Sequence, residues 1–329
     1  MSDVRPSPAA PADTGRLARI VAPAMLVILS AALVFLAERL APGFADPANL
    51  LQLLKLASFL GIAAIGQTVV MLTGGIDLSL PWVLTASAVV FTNLCDKQDG
   101  NIWFAAAAAI SVGLATGLIN GLGVVKLRIS PIVMTLAMNN IMLGAALVYT
   151  GGTPSGGPAP LVRALATGNV GPIPAMVILW CLLAALVIVA IRFTKAGRML
   201  LGVGENPRVS YLTGLNNDRV IVTAYAVCGV TTSVTGILFA AFSGLSFLGM
   251  GDQFVLPSVA AVVLGGTSVF GGRGGYGGTM AAVVFTTILT TVLVIGSLPQ
   301  GVRSIVYGVA VLAAILAQRF LARRDDRDQ

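Results

Sequence analysis

The sequence predicts an all-α, polytopic membrane protein with about ten transmembrane helices. Three observations carry that prediction. Of 329 residues, 57% are hydrophobic and 10% are Asp, Glu, Lys or Arg, against about 25% charged residues in a soluble domain. Mean hydropathy is +0.93, so too few polar side chains exist to cover a soluble surface. Uncharged stretches recur along the chain at the length of a helical span, which is about 20 mostly apolar residues. Runs such as Phe104 to Ile110 lack the alternation of a β-barrel strand and favour helix.

Taken in order, residues 1–19 are rich in Ala and Pro and read as a disordered cytoplasmic tail. The apolar run 20–37 ends at Glu38-Arg39. It is longer than a secretory apolar core of about 7–15 residues, so it reads as a retained first span. The further candidates are 56–73, 78–95, 102–125, 129–149, 173–191, 220–245, 254–270, 276–298 and 304–318. The third and eighth abut glycine-rich breaks, at Gly74-Gly75 and within Gly265 to Gly278. A single transmembrane domain is thus expected over 20–320, with a short cytoplasmic tail at 321–329.

Lysine and arginine set the orientation. With the N-terminus inside and ten alternating spans, Arg39, Lys55, Lys97, Arg163 and Arg303 fall outside. The other fifteen of the 20 basic residues fall inside, so both termini are expected in the cytoplasm. That placement accounts for the net charge of +7 without a nucleic-acid partner. The main inside loop is 193–219 and the main outside loop 150–172. Neither is long enough for a soluble domain, so no ATPase domain is expected on this chain.

Composition excludes several chemistries. The chain has no histidine, and Cys95, Cys181 and Cys228 lie far apart. No catalytic constellation, metal site or bound cofactor is expected. High glycine, 38 residues, suits close helix packing in a membrane.

Four sequence features remain. In Leu72 to Pro81, Gly74 and Gly75 break the helix and Pro81 suits the first turn of the next. Asp77 either caps that helix start or lines a translocation path, because a carboxylate at membrane depth is costly. In the inside loop, Asn206 suits an N-cap, Pro207 the first helical position and Gly214 the stop. A helix of about two turns is predicted, with Val209 and Leu212 on one side and Tyr211 beside them; alone in water it is unstable and needs a partner surface. In Ala261 to Thr279, the G-x-G-x-x-G from Gly272 to Gly277 follows no strand, and no P-loop sequence exists in the chain. It reads as a tight cytoplasmic turn of structural glycines, Gly265, Gly266, Gly272 and Gly274, anchored by Arg273. The last feature is the intramembrane polar set of Gln67, Asn120, Thr135, Asn139 and Asn140. Such groups either bond across helices or, with Asp77 and Ser79, line a path for a hydroxylated solute. Deep charges are too few for an ion-coupled relay, so the energy for transport is expected from elsewhere. A short internal likeness, Val69 to Gly75 with Ala261 to Gly266, suggests parallel repeats.

These residues resemble a known family. Gly74 to Ser79, Pro131 to Leu136 with Tyr149 to Gly152, Gly197-Arg198 through Gly214-Leu215, and Ala260 to Ser268 with Gly271 to Gly274 are similar to the monosaccharide permeases of bacterial ABC importers. These are the ribose/xylose/galactose-type permeases, grouped with the branched-chain amino acid permeases. The likeness covers about Leu50 to Phe320. It implies a multi-pass inner-membrane subunit that works as a dimer with a second copy or a paralogue, surrounded by lipid. A periplasmic solute-binding protein would deliver a monosaccharide or polyol. A separate cytoplasmic ATPase would bind ATP-Mg and dock on 193–219, where Asn206, Arg208, Val209, Tyr211, Leu212 and Gly214 would form the coupling helix. Upstream of Ala260 the family often carries an acidic stretch; this chain instead reads Phe254 to Ser258, with Asp252 just before. The alternatives are a standalone secondary transporter or channel, or an amino-acid permease of the same superfamily.

Overall fold

The computed structural model describes residues 14–325, with side-chain surroundings for 24–316. Residues 1–13 and 326–329 of the expected tails fall outside the described residues, and the last helix runs on through 321–325 of the expected C-terminal tail. The first helix begins at Thr14, so its backbone takes in the end of the expected N-terminal tail. Among the described residues the chain forms thirteen α-helices: α1 (Thr14–Leu40), α2 (Pro47–Leu72), α3 (Leu80–Cys95), α4 (Ile102–Val125), α5 (Pro131–Thr150), α6 (Pro160–Thr167), α7 (Ala175–Phe193), α8 (Lys195–Glu205), α9 (Pro207–Leu212), α10 (Asn217–Ser243), α11 (Val255–Leu264), α12 (Tyr276–Ile295) and α13 (Gln300–Asp325). Each expected apolar stretch holds one helix. Among the described residues six segments are long and apolar enough to cross a membrane: α2, α5, α7, α10, α12, and α4 with the turn before it. The apolar helices at Leu80–Cys95, Asp252–Leu264 and Gln300–Leu316 are shorter.

Local sequence explains many of the helix starts. Proline occupies the first or second position of α2, α3, α5, α6 and α9. There its missing N–H costs nothing and its fixed φ matches the helix. Helix α2 starts well before the expected residue 56. Lys55 is tolerated inside it because its Nζ donates to the Thr167 carbonyl at 2.8 Å and the residue is 4% exposed. The loop expected outside holds secondary structure of its own: α6 and a minimal antiparallel hairpin, β1 (Asn169–Val170) with β2 (Ile173–Pro174).

Helix α10 is the hub, packed against α4, α2 and α3. Its contact with α4 is backbone on backbone. A Cβ on Gly113, Gly117 or Gly121 would lie 2.1 Å from the Gly229 carbonyl oxygen, 2.3 Å from that of Tyr225 and 2.7 Å from the Val222 Cα, respectively. Glycines four residues apart lie on one helix face, so this stripe permits an approach no larger residue allows. Helix α2 is buried at every residue from Ala57 to Leu72. It is tied to α7 and α12 by the Tyr276 hydroxyl, which donates to the Gly61 carbonyl at 2.7 Å and accepts from Trp180 Nε1 at 2.7 Å. Phe59, Phe239, Phe242 and Phe254 make a ring cluster between α2, α10 and the start of α11. Helix α5, in contrast, buries a single stripe of Thr135, Met138, Met142 and Ala146 and leaves Val133, Ile141 and Val148 exposed.

Candidate functional site

The loop 193–219, expected inside, folds into two helices rather than the one expected. Helix α8 was hidden in the sequence by Gly197, Gly202 and Gly204, which disfavour helix interiors. It starts at Thr194, whose Oγ1 accepts from the Gly197 N–H at 3.3 Å. Asn206 then caps α9, its Oδ1 accepting from the N–H of Arg208 and of Val209 at 3.1 Å each. Gly214, at φ +84°, closes it: its N–H donates to the Tyr211 carbonyl at 3.0 Å and the Leu215 N–H to that of Ser210 at 3.2 Å. Only Ser210 of α9 is buried. Val209, Tyr211 and Leu212 stand 53%, 73% and 77% exposed, so the apolar side chains do not lie on the chain's own bundle. Arg208 is exposed as well.

Beside this loop, three backbone segments meet. The ends of α2 and α11 are built alike. The Gly74 N–H donates to the Met71 carbonyl at 3.0 Å and the Gly75 N–H to that of Val70 at 3.2 Å. In the same pattern, Gly266 donates to Val263 at 3.0 Å and Thr267 to Val262 at 3.1 Å. Gly74 and Gly266 adopt φ of +83° and +88°. Both ends are Schellman caps, which need a residue in the left-handed region. The short likeness in the sequence is thus a likeness of local structure. The turn after α11 folds back onto the end of α2, where the Gly272 N–H donates to the Leu72 carbonyl at 3.0 Å. Gly204, from α8, packs onto both segments. Glu205 and Arg273 add an ion pair at 3.1 Å across the same junction.

The polar set divides. Asp77 Oδ1 accepts from the Ser79 N–H at 2.9 Å and from the Ser79 hydroxyl at 2.6 Å. Ser79 in turn accepts from Asn120 Nδ2 at 2.9 Å. The three are 4%, 1% and 0% exposed, so this is a buried chain linking the α2–α3 break to α4. Thr135 reaches the rim of the break, 3.4 Å from the Ile76 carbonyl, though its shorter bond goes to Pro131 in its own helix at 2.9 Å. Gln67 is fully buried on α2 with neither amide atom partnered by protein, and Asn139 Oδ1 on α5 is likewise unpartnered. Asn140 is exposed and bonds its own helix. Sequence reasoning missed Tyr225, which α10 presses against Gly75 and whose buried hydroxyl lacks a protein partner. Unpartnered Gln67, Asn120 and Tyr225 atoms in the bundle suit ordered water, since a buried polar atom without a partner costs about 1–3 kcal/mol. Among the described residues no group of His, Cys, Asp and Glu could hold a metal ion.

Broken apolar helices, a buried polar chain at a break and an exposed helix at one end define a polytopic transport subunit. The comparisons carry this further. The sequence matches the family described as branched-chain amino acid transport system / permease component over residues 49–317, and the chain belongs to that family. It is 30% identical to the ribose import permease protein RbsC of Escherichia coli K12 over 288 residues, covering 86% of this chain and 89% of the relative. Identity to RbsC of Bacillus subtilis is 31% over 297 residues, covering 87% and 89%. It is 28% to the autoinducer 2 import system permease protein LsrD of Escherichia coli O9:H4 over 268 residues, covering 79% and 80%. No solved structure matches. The chain is a permease subunit of the ABC importer class, a transport component and not an enzyme.

Proposed function

We propose that this permease carries a monosaccharide or related polyol across the bacterial inner membrane, driven by a separate ATPase and fed by a periplasmic binding protein. Ribose and autoinducer 2 are the solutes named for its relatives, and both support a hydroxylated solute. The observation that carries the coupling half of the proposal is α9. A six-residue helix is capped at both ends by side chain and glycine, yet holds Val209, Tyr211 and Leu212 in the open. Such a surface gains stability only when a partner covers it. On this reading the partner is the ATPase, which holds the ATP-Mg.

Ten spans with both termini in the cytoplasm complete the reading. At 1.5 Å per residue, the 16 residues of α3 reach about 24 Å, short of the roughly 30 Å hydrocarbon core. Helix α11, at 10 residues, crosses about half. Non-helical backbone at that depth is tolerated where protein buries it, and Gly75, Asp77 and Ser79 are buried in the break after α2. The exposed faces of α5 and α7 would meet lipid or a second permease copy.

ATP-dependent uptake in proteoliposomes tests the proposal, with the permease co-purified with its neighbouring ATPase and binding protein. Uptake of one labelled pentose, hexose or polyol is expected only with all three components. Uptake by this chain alone, indifferent to ATP, would instead make it a secondary transporter or channel.

A further inference from the structure

Between Arg219 and Arg319 the chain carries three charged side chains, Asp252, Arg273 and Arg303. Asp252 and Arg303 line one cavity of about 240 Å³, between the turn that precedes α11 and the facing ends of α12 and α13. They do not pair: among the described residues the ion pairs are Lys126–Asp218 and Glu205–Arg273. Arg303 Nε is buried without a hydrogen-bond partner. Gln300, Ser304 and Tyr307 complete one wall from α13, and the Tyr307 hydroxyl is fixed by a hydrogen bond with Thr290 of α12. Leu256 and Pro257 supply an apolar side.

In so apolar a chain, an aspartate and an arginine that line one cavity without an ion pair require an explanation. A half-buried guanidinium with an unused donor is costly, and a lipid tail or an apolar protein surface would leave it unsatisfied. A polyhydroxylated solute suits it. Each hydroxyl both donates, as Asp252 requires, and accepts, as Arg303 and the Gln300 amide require. The C–H face of a sugar ring would lie on Leu256 and Pro257. A volume near 240 Å³ is below the roughly 300–1,000 Å³ of drug-sized pockets and fits one small solute. The open side of the cavity keeps binding weak enough for onward release.

We infer that this cavity is a solute waypoint at the outer mouth of the permease, holding one monosaccharide or polyol between Asp252 and Arg303 before it enters the bundle. The inference rests on the importer reading above. Its test uses the complete importer in proteoliposomes, with labelled D-ribose, D-xylose, D-galactose and myo-inositol, and L-leucine as the amino-acid comparison. The variants are Asp252→Asn, Arg303→Gln and Ser304→Trp, the last filling the cavity with both charges kept. Losing one hydrogen bond to a charged group predicts about a tenfold fall in solute moved per ATP, with ATP hydrolysis retained. Arg303→Lys and Asp252→Glu serve where a neutral variant does not assemble, and a loss in them of the same sense is expected. Unchanged transport per ATP in the assembled variants would remove the waypoint and leave the importer reading intact. Failure of the unmodified complex to move any of the four hydroxylated solutes, or movement of leucine alone, would overturn both.

Discussion

A methyl group on Gly204 would lie 2.0 Å from the Leu72 carbonyl oxygen and 2.4 Å from the Gly272 amide nitrogen. Both neighbours are backbone, so no rotamer change can make room. The end of α8 is therefore in direct backbone contact with the end of α2 and with the turn after α11. Movement of α8 must carry the two glycine breaks with it, because packed interiors transmit displacement rather than absorb it. Gly204→Ala is expected to force these segments apart at a cost of about 1–3 kcal/mol. The measurable result is a lowered melting temperature and less solute moved per ATP. Wild-type values of both would show that the contact is not needed for transport.

Tyr211→Asp and Gly214→Pro probe the other end of the same loop. Tyr211 is 73% exposed, so the charge is tolerated in the free permease but placed in any apolar interface over α9. Proline cannot adopt the φ of +84° at Gly214 and removes the N–H that donates to Tyr211. Both variants should insert and fold as a bundle yet retain the ATPase poorly on co-purification. Normal ATPase stimulation in both would withdraw the docking assignment.

Much of this was legible in the sequence. The apolar stretches located the helices, and Asn206, Pro207 and Gly214 located α9, because span length and capping are local signals. The glycine doublets marked both breaks for the same reason. What the sequence could not show was which distant groups meet. Helix α8 escaped because its glycines argue against helix, whereas in the structure Gly204 is required by a contact with Leu72, more than a hundred positions away. Lys55 marked a loop until Thr167 provided its partner. High glycine content signalled close packing, but that Gly113, Gly117 and Gly121 form the face against α10 came only with the fold. In the polar set, Asp77, Ser79 and Asn120 come together, while Gln67 and Asn139 find no protein partner, a division decided by tertiary packing alone.

Glu38 gives a pH-dependent prediction. It lies just past the expected first span, and its carboxylate accepts from the N–H of Gly43 at 2.9 Å and of Ala45 at 2.7 Å. These bonds, that from Ala45 first, hold its pKa below the ordinary glutamate value. A depressed folded pKa contributes stability above the unfolded pKa, and the contribution is lost as pH falls through the folded one. The turn 41–46 should therefore loosen on acidification below the usual glutamate range of about 4.3. Hydrogen exchange at Gly43 and Ala45 checks this. The rise in exchange should be absent in Glu38→Gln, whose acceptor is uncharged at every pH. An identical acid profile in both proteins would assign the loosening to another group.

The two readings of Asp77 can be separated with a pair of variants. Ser79 is the centre of the buried chain, donating to Asp77 and accepting from Asn120. Ser79→Ala leaves the Asn120 amide without that acceptor and removes one of the two bonds to Asp77. A cost of about 1–3 kcal/mol follows from stranding a buried polar group, seen as a lower melting temperature. Asp77→Asn behaves differently. Its side-chain oxygen can still accept from the Ser79 N–H and hydroxyl, so the turn into α3 survives while the charge is lost. If Asp77 does no more than shape the break, Asp77→Asn should fold and transport as the unmodified protein does. If its charge serves the translocation path, transport should fall while the melting temperature holds. The second outcome is expected, because an amide would shape this turn at less desolvation cost than a buried carboxylate. Uptake at the unmodified rate, in a protein of normal stability, would take Asp77 off the path and leave it as the residue that starts α3.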